Sequence, residues 1–181
     1  MGVDNMKITH GVSRQGLGAA LVVLAALLLI WQVSAGAQEL ERSALEILSE
    51  GERHSLQVEL AQTAAERRKG LMDRDSLDPD AGMLFVYQTL QPPQSGFWMY
   101  RTRIPLDIAF IDDQGRIAAL YTMQPCTSSN PADCPATVAG VEYRAALEVN
   151  AGYFEAHGIG EGDCVKWPGQ AGGCADASSV G

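Results

Sequence analysis

Two carboxylates interrupt otherwise apolar stretches of this 181-residue chain. Asp107 stands in Ile104-Pro105-Leu106-Asp107-Ile108-Ala109-Phe110, and Glu148 in Ala145-Ala146-Leu147-Glu148-Val149-Asn150. Side chains of an extended segment alternate between its two faces. Ile104, Leu106, Ile108 and Phe110 then share one apolar face and Asp107 takes the other, while Glu148 falls with Ala146 and Asn150, opposite Leu147 and Val149. Charged side chains are seldom buried without a partner, and Arg74, Arg101 and Arg103 are the available cations. The pattern predicts a polar hollow where Asp107 and Glu148 meet these arginines over Trp98 or Tyr100, suited to a small polar ligand or a sugar. Two carboxylates so placed could also do acid–base work on a glycosidic bond. Ion pairs that only hold a sheet corner are the commoner arrangement and are favoured here over catalysis.

Other chemistries fit less well. His54 and His157 are the histidines beyond the N-terminal segment, and neither neighbours a Gly-x-Ser-x-Gly elbow. The glycines at 169–173 lie in a tail rather than between a strand and a helix, so no phosphate loop is expected. The four cysteines, Cys126, Cys134, Cys164 and Cys174, are even in number and lack paired C-x-x-C spacing, which favours disulfides over a metal site. Three pairings are open. Cys126 with Cys134 closes a short Pro-containing loop, and Cys164 with Cys174 would then tie down the tail. No metal and no cofactor is expected.

The address follows from the N-terminus. Lys7 and Arg14 precede an apolar run from Leu17 to Ile30, and Ala35-Gly36-Ala37 supplies small residues after it. This is the layout of a signal peptide over 1–37, cleaved after Ala37, and it predicts a periplasmic or secreted protein. The run is short for a spanning helix, so membrane attachment is expected only if this segment stays uncleaved. The formal net charge is −9, and no cluster of Lys and Arg suits a phosphate backbone. Nucleic acid and anionic membrane surfaces are therefore not expected as partners, and a small polar ligand or an envelope protein is expected instead.

The elements that must position these residues are short. Segment 38–54 reads as an N-terminal linker, with Gln38 to Ser49 ambiguous between helix and strand. Leu56, Val58 and Leu60 alternate as a strand. Thr63-Ala64-Ala65-Glu66 is a capping box for a short helix whose end carries Arg67, Arg68 and Lys69, with Gly70 as a left-handed cap. The basic triplet reads as a solvated helix end. Strands follow at Gly82 to Tyr87, Gly96 to Tyr100, Pro105 to Ile111, Arg116 to Met123, Tyr143 to Val149 and Cys164 to Trp167. Leu90 to Ser95 reads as a Pro-Pro loop, Gln124 to Gly140 as a long loop, Gly152 to His157 as a helical turn, and 168–181 as a flexible tail. With frequent turns and no strand–helix–strand alternation, the fold class is mainly β: an antiparallel sandwich or small barrel with one or two short helices. The β-rich domain spans 55–167.

Several spaced motifs occur in one order: Arg68-Lys69-Gly70-Leu71-Met72-x-Arg74, Gly82-Met83-Leu84-Phe85-Val86, Phe97-Trp98-Met99, Ile104-Pro105-Leu106-Asp107-Ile108-x-Phe110-Ile111, Leu147-Glu148-Val149-Asn150-Ala151-Gly152, and Gly158-Ile159-x-x-Gly162-Asp163. Over about residues 55 to 167 the chain resembles the domain of unknown function family 192, small and often exported prokaryotic proteins. The resemblance implies a compact β-rich domain and brings no established activity. One departure stands out. The family pattern usually reads Trp-Met-Lys-Asn-Thr, whereas this chain has Trp98-Met99-Tyr100-Arg101-Thr102.

Taken together, the sequence predicts a non-enzymatic envelope module that binds a small polar ligand or partner through Trp98, Tyr100, Arg101, Arg103, Asp107, Glu148 and Arg74. The rivals are a glycan hydrolase using Asp107 and Glu148, and an accessory module docking through the Cys126–Cys134 loop.

Overall fold

The computed structural model describes residues 39–170 and 173–174. The signal peptide expected over 1–37 and most of the tail lie outside the described residues. Among those described, no helix is long and apolar enough to cross a membrane.

The fold is mostly β, as the turn-punctuated sequence predicts. Its strands are β1 (Arg42–Ser49), β2 (Glu52–Ala61), β3 (Ala81–Gln91), β4 (Gly96–Trp98), β5 (Leu106–Ile111), β6 (Ile117–Met123), β7 (Ala136–Val138), β8 (Tyr143–Asn150) and β9 (Cys164–Lys166), with helices α1 (Ala64–Lys69) and α2 (Tyr153–Ala156). Seven strands form one sheet in the order β6-β5-β8-β3-β2-β1-β9, and β4 pairs with β7 in a separate ribbon. The large sheet curls into a half-barrel whose two edges touch at one end. Arg116 bridges to Cys164, and the Val165 amide donates to the Gly115 carbonyl at 2.8 Å. Curling satisfies edge groups that would otherwise invite pairing with another chain.

Both faces of the sheet are covered, which is why β5 is buried at all six positions. On the first face, Leu45, Ile47, Leu56, Val58, Leu84, Leu147 and Val149 pack with Tyr153 and Phe154 of α2. On the second, Met83, Phe85, Ile108, Phe110 and Tyr143 pack beneath Leu71, Phe97 and Met99.

Three expectations are corrected. The segment read as a linker over 38–54 contains β1, with Leu45 and Ile47 fully buried, and turns into β2 at Glu50-Gly51. Both turn residues have positive φ, +49° and +87°, the geometry that matches the twist of a two-residue hairpin. Interspersed charges on its solvent side had masked its alternation. Second, β2 and β3 run parallel with α1 between them, so one strand–helix–strand unit exists within an otherwise antiparallel sheet. Third, the loop from 124 to 140 contains β7, and β3 runs on to Gln91 where a loop was expected.

The disulfides Cys126–Cys134 and Cys164–Cys174 form, with Cα separations of 5.7 and 5.8 Å. The second clasps Cys174 against the β5–β6 turn, where its Sγ lies 3.5 Å from the Gly115 carbonyl oxygen.

Candidate functional site

Glu148 sits in the middle of the large sheet, opposite Met83 on β3 and Ile108 on β5. All three face the second core, so the acid is surrounded by apolar side chains. Only 6% of its surface is exposed, and it forms no hydrogen bond or ion pair among the described residues. Burial alone pushes its carboxyl up to about 8, because neither a cation nor an N–H favours the ionised form. Among the described residues, the sealed, unpartnered side-chain polar atoms are His54 Nε2 and Gln170 Nε2. The Glu148 oxygens are not among them, and Glu148 instead lines a cleft of about 310 Å³.

The roof of this cleft is the end of α1. Thr63 Oγ1 accepts from the Glu66 amide at 3.2 Å, and Glu66 Oε2 accepts from the Thr63 and Gln62 amides at 2.7 and 2.8 Å. This box starts the helix where the sequence places it. Arg67 then pins the helix to β3. Its guanidinium donates to the Val86 carbonyl at 3.0 Å and to that of Gln62, and lies 4.6 Å over the Tyr87 ring. Gly70 ends the helix at φ +47° and ψ −142°, outside the left-handed helical well expected, in a region that glycine takes far more readily than other residues. Arg68 and Lys69 are left exposed on the cleft, where Phe85, Tyr87, Phe97 and Trp98 form its apolar wall. Lys69 donates to Asp73 at 2.9 Å, whereas Arg68 makes no ion pair among the described residues. The Tyr87 hydroxyl is pushed up by burial first, with the neighbouring Glu148 a lesser contributor.

Phe97 is buried, whereas Trp98 is 44% exposed. Its indole Nε1 donates to the Cys134 carbonyl at 2.9 Å, and its ring stacks on Tyr100 at 4.9 Å between centroids and 20° between planes. The disulfide loop and the β4–β7 ribbon therefore brace this tryptophan from behind.

Tyr100, Arg101 and Arg103 line a second hollow of about 360 Å³ with Asp73 and Thr127 to Ser129. Its cations are already engaged. Arg101 donates through Nε and Nη2 to Asp73 at 3.0 and 2.8 Å, and Arg103 donates through Nη1 to Asp75 at 2.8 Å. Lys69 first, then Arg101, hold the Asp73 carboxyl below its usual range. Arg101 has φ +58°, a left-handed backbone that asparagine tolerates better than arginine. The asparagine usual in the family pattern thus has a conformational reason, independent of any ligand.

Asp107 and Glu148 do not converge. Asp107 is paired with Val149, one residue beyond Glu148, so the pleat turns the two acids to opposite faces. Asp107 is 4% exposed and makes no ion pair with an arginine among the described residues. Its Oδ1 accepts from the Thr122 hydroxyl at 2.7 Å and its Oδ2 from the Gly152 amide at 2.8 Å. It fixes the approach to α2 and belongs to the first core. Arg74 is also elsewhere, in a two-pronged pair with Glu59 at 2.8 and 2.6 Å. That pairing holds Glu59 low and Arg74 high. The expected constellation is thereby divided: Trp98 and Glu148 share one cleft, Tyr100, Arg101 and Arg103 another, and Asp107 and Arg74 join neither.

Sequence reasoning passed over Arg68, Lys69 and Tyr87 as site residues. The signal was present in the basic triplet after the capping box, but nothing local showed that α1 would end above Glu148. Among the described residues, no three His, Cys, Asp or Glu side chains converge to hold a metal.

Among solved structures, a protein of unknown function from Novosphingobium aromaticivorans DSM 12444 is similar at 33% identity and a TM-score of 0.61, covering 75% of this chain and 91% of its own. A Sinorhizobium meliloti 1021 protein provisionally named a transcription regulator is similar at 29% identity and a TM-score of 0.65, covering 73% and 98% respectively. No curated protein matches. The DUF192 model, described as uncharacterized ACR, matches residues 46–167, the span that holds both clefts and every strand but the start of β1. The chain belongs to the DUF192 family.

Proposed function

We propose that this protein is a non-enzymatic binding domain for a small polar ligand, and that its site is the cleft between the end of α1, Trp98 and Glu148. One observation carries the reading. A carboxyl at the centre of the sheet is walled by apolar side chains and has no hydrogen-bond partner among the described residues, yet opens on a cleft of ligand size. A ligand group that bonds to it in the cleft makes a hydrogen bond that no described side chain supplies.

Acid–base catalysis on a glycan needs a second carboxyl group facing Glu148. Glu148 is the one carboxylate among the described residues of the cleft, and Asp107 is on the opposite face. The regulator name belongs to the Sinorhizobium neighbour, and in this chain a net charge of −9 opposes a phosphate backbone. In this reading the Cys126–Cys134 loop serves the site by holding the Trp98 indole. Two cysteine pairs at disulfide distance support an oxidising, extracytoplasmic location.

The test is a thermal-shift screen of a polar metabolite library against the protein and its Trp98→Ala and Glu148→Ala variants. Compounds that raise the midpoint of the parent but of neither variant are expected. Compounds that stabilise all three proteins equally, or none at all, would overturn the assignment.

A further inference from the structure

The charge around Glu148 narrows what the cleft accepts, granted that the cleft is the binding site proposed above. The ionisable groups lining it are Arg67, Arg68 and Lys69 from α1, Tyr87 from β3, and Glu148 itself; β4 and the turn at Thr102 add none. Arg67 is committed to carbonyl oxygens and to the Tyr87 ring and Lys69 to Asp73, but Arg68 lies at the rim without a counter-ion among the described residues. This is a local excess of positive charge on a protein of net charge −9. A cation entering the cleft would pass Arg68 and Lys69 and meet repulsion. An anion would be drawn in, and local charge of this kind acts chiefly on ligand choice and on-rate.

Beyond the rim the walls are aromatic. Phe85, Phe97 and Tyr87 stand behind Trp98, one side of whose indole is occupied by Tyr100. A flat ring fits such a wall through stacking or apolar contact. At the floor, an uncharged carboxylic acid both donates and accepts a hydrogen bond. It can donate to a ligand oxygen, which an ionised carboxylate beside an anion could not do.

We propose that the cleft takes a small ring-bearing organic carboxylate, its charged end held by Arg68, its ring against Trp98, and an oxygen receiving the proton of the Glu148 acid. The ring of such a ligand can be aromatic or a sugar, and both share this recognition chemistry. Because burial raises the Glu148 carboxyl to about 8, the donor is present at neutral pH and is lost above that value.

The experiment is a ¹H–¹⁵N NMR titration of the protein, reading the Trp98 indole and the Gly70 and Thr102 amides. The aromatic arm uses benzoate, benzyl alcohol and benzylamine, and the sugar arm uses glucuronate, glucose and glucosamine. The carboxylate of at least one arm is expected to bind at least tenfold more tightly than its neutral and cationic counterparts. Arg68→Glu, at an exposed position, is expected to remove that preference without altering the fold. Affinity for the carboxylate is expected to fall as pH rises through 8 in the parent and to stay level in Glu148→Gln. Preference for the amine or the neutral ring would overturn the ligand class while leaving the binding cleft in place. Absence of any response at these three signals to all six probes would overturn the ligand class and count equally against the cleft.

Discussion

Replacement of Glu148 by Gln tests the central electrostatic claim without any ligand. The carboxyl shifts from an ordinary value of 4.5 to about 8 through burial alone. Between these values the folded protein holds a proton that the unfolded chain has released, so stability falls as pH rises. Each pH unit in that window costs about 1.4 kcal/mol, which gives a loss of about 4 kcal/mol between pH 5 and pH 8. The other displaced carboxyls act in a different window. Glu59, Glu66 and Asp73 are lowered, so their contribution is present above their unfolded values and is lost only as pH falls into the acid range. Urea unfolding, followed by fluorescence with both disulfides intact, would be measured from pH 5 to pH 9 for the parent and for Glu148→Gln. The two are expected to lie close together at pH 5 and to diverge steadily, the variant being more stable at pH 8.5 by several kcal/mol. In thermal scans the same divergence would appear as a difference on the order of 10 °C. Parallel curves across the whole range would refute the reasoning, for they would mean that Glu148 titrates alike in the folded and unfolded chains.

Three further outcomes follow from the geometry. Asp107→Ala leaves the Gly152 amide and the Thr122 hydroxyl, both on exposed residues, without their acceptor, and equilibrium unfolding should show a loss of roughly 1–3 kcal/mol; a loss below half of that would mean that water replaces Asp107 as acceptor. Gly96→Ala would place a Cβ 2.4 Å from the Thr137 carbonyl oxygen, so the β4–β7 ribbon must shift, at a cost of about 1–3 kcal/mol. Its signature is movement of the Trp98 indole resonance, and an unchanged indole would show that the ribbon does not position Trp98. Arg101→Gly removes backbone strain of roughly 1 kcal/mol at φ +58° and gives up an exposed pair with Asp73. Its melting temperature should match or exceed that of the parent, and a clear drop would mark the ion pair as the element that holds the corner.

The strands legible in the sequence were those whose apolar residues follow one rule. Leu56, Val58 and Leu60 alternate, and the continuous runs at Gly82 to Val86 and Ala145 to Val149 fit strands covered on both faces. The capping box needed no tertiary information, since Thr63 and Glu66 reach each other within one turn. Strand β7 was hidden because Ala136-Thr137-Val138 is too short to show a period, and exists by pairing with Gly96 to Trp98.

The candidate site was legible only in part. Alternation showed that Glu148 points away from Leu147 and Val149, but a period of two along one strand carries no information about register with the next. The pairing of Asp107 with Val149, rather than with Glu148, turned one acid toward Thr122 and the other toward Trp98. The three arginines likewise found acids that lie far away in the chain or in loops: Arg74 with Glu59, Arg101 with Asp73, and Arg103 with Asp75. The sequence by itself determined the β-rich class, the short capped helix, the acidic balance and which residues are too polar for their apolar surroundings. Only the tertiary structure decided which of those polar residues found partners, because hydrogen bonds and ion pairs depend on strand register and on the crossover that carries α1 over β3. Glu148 is the one of these acids that the register left alone, and the same crossover set Arg68 and Lys69 above it.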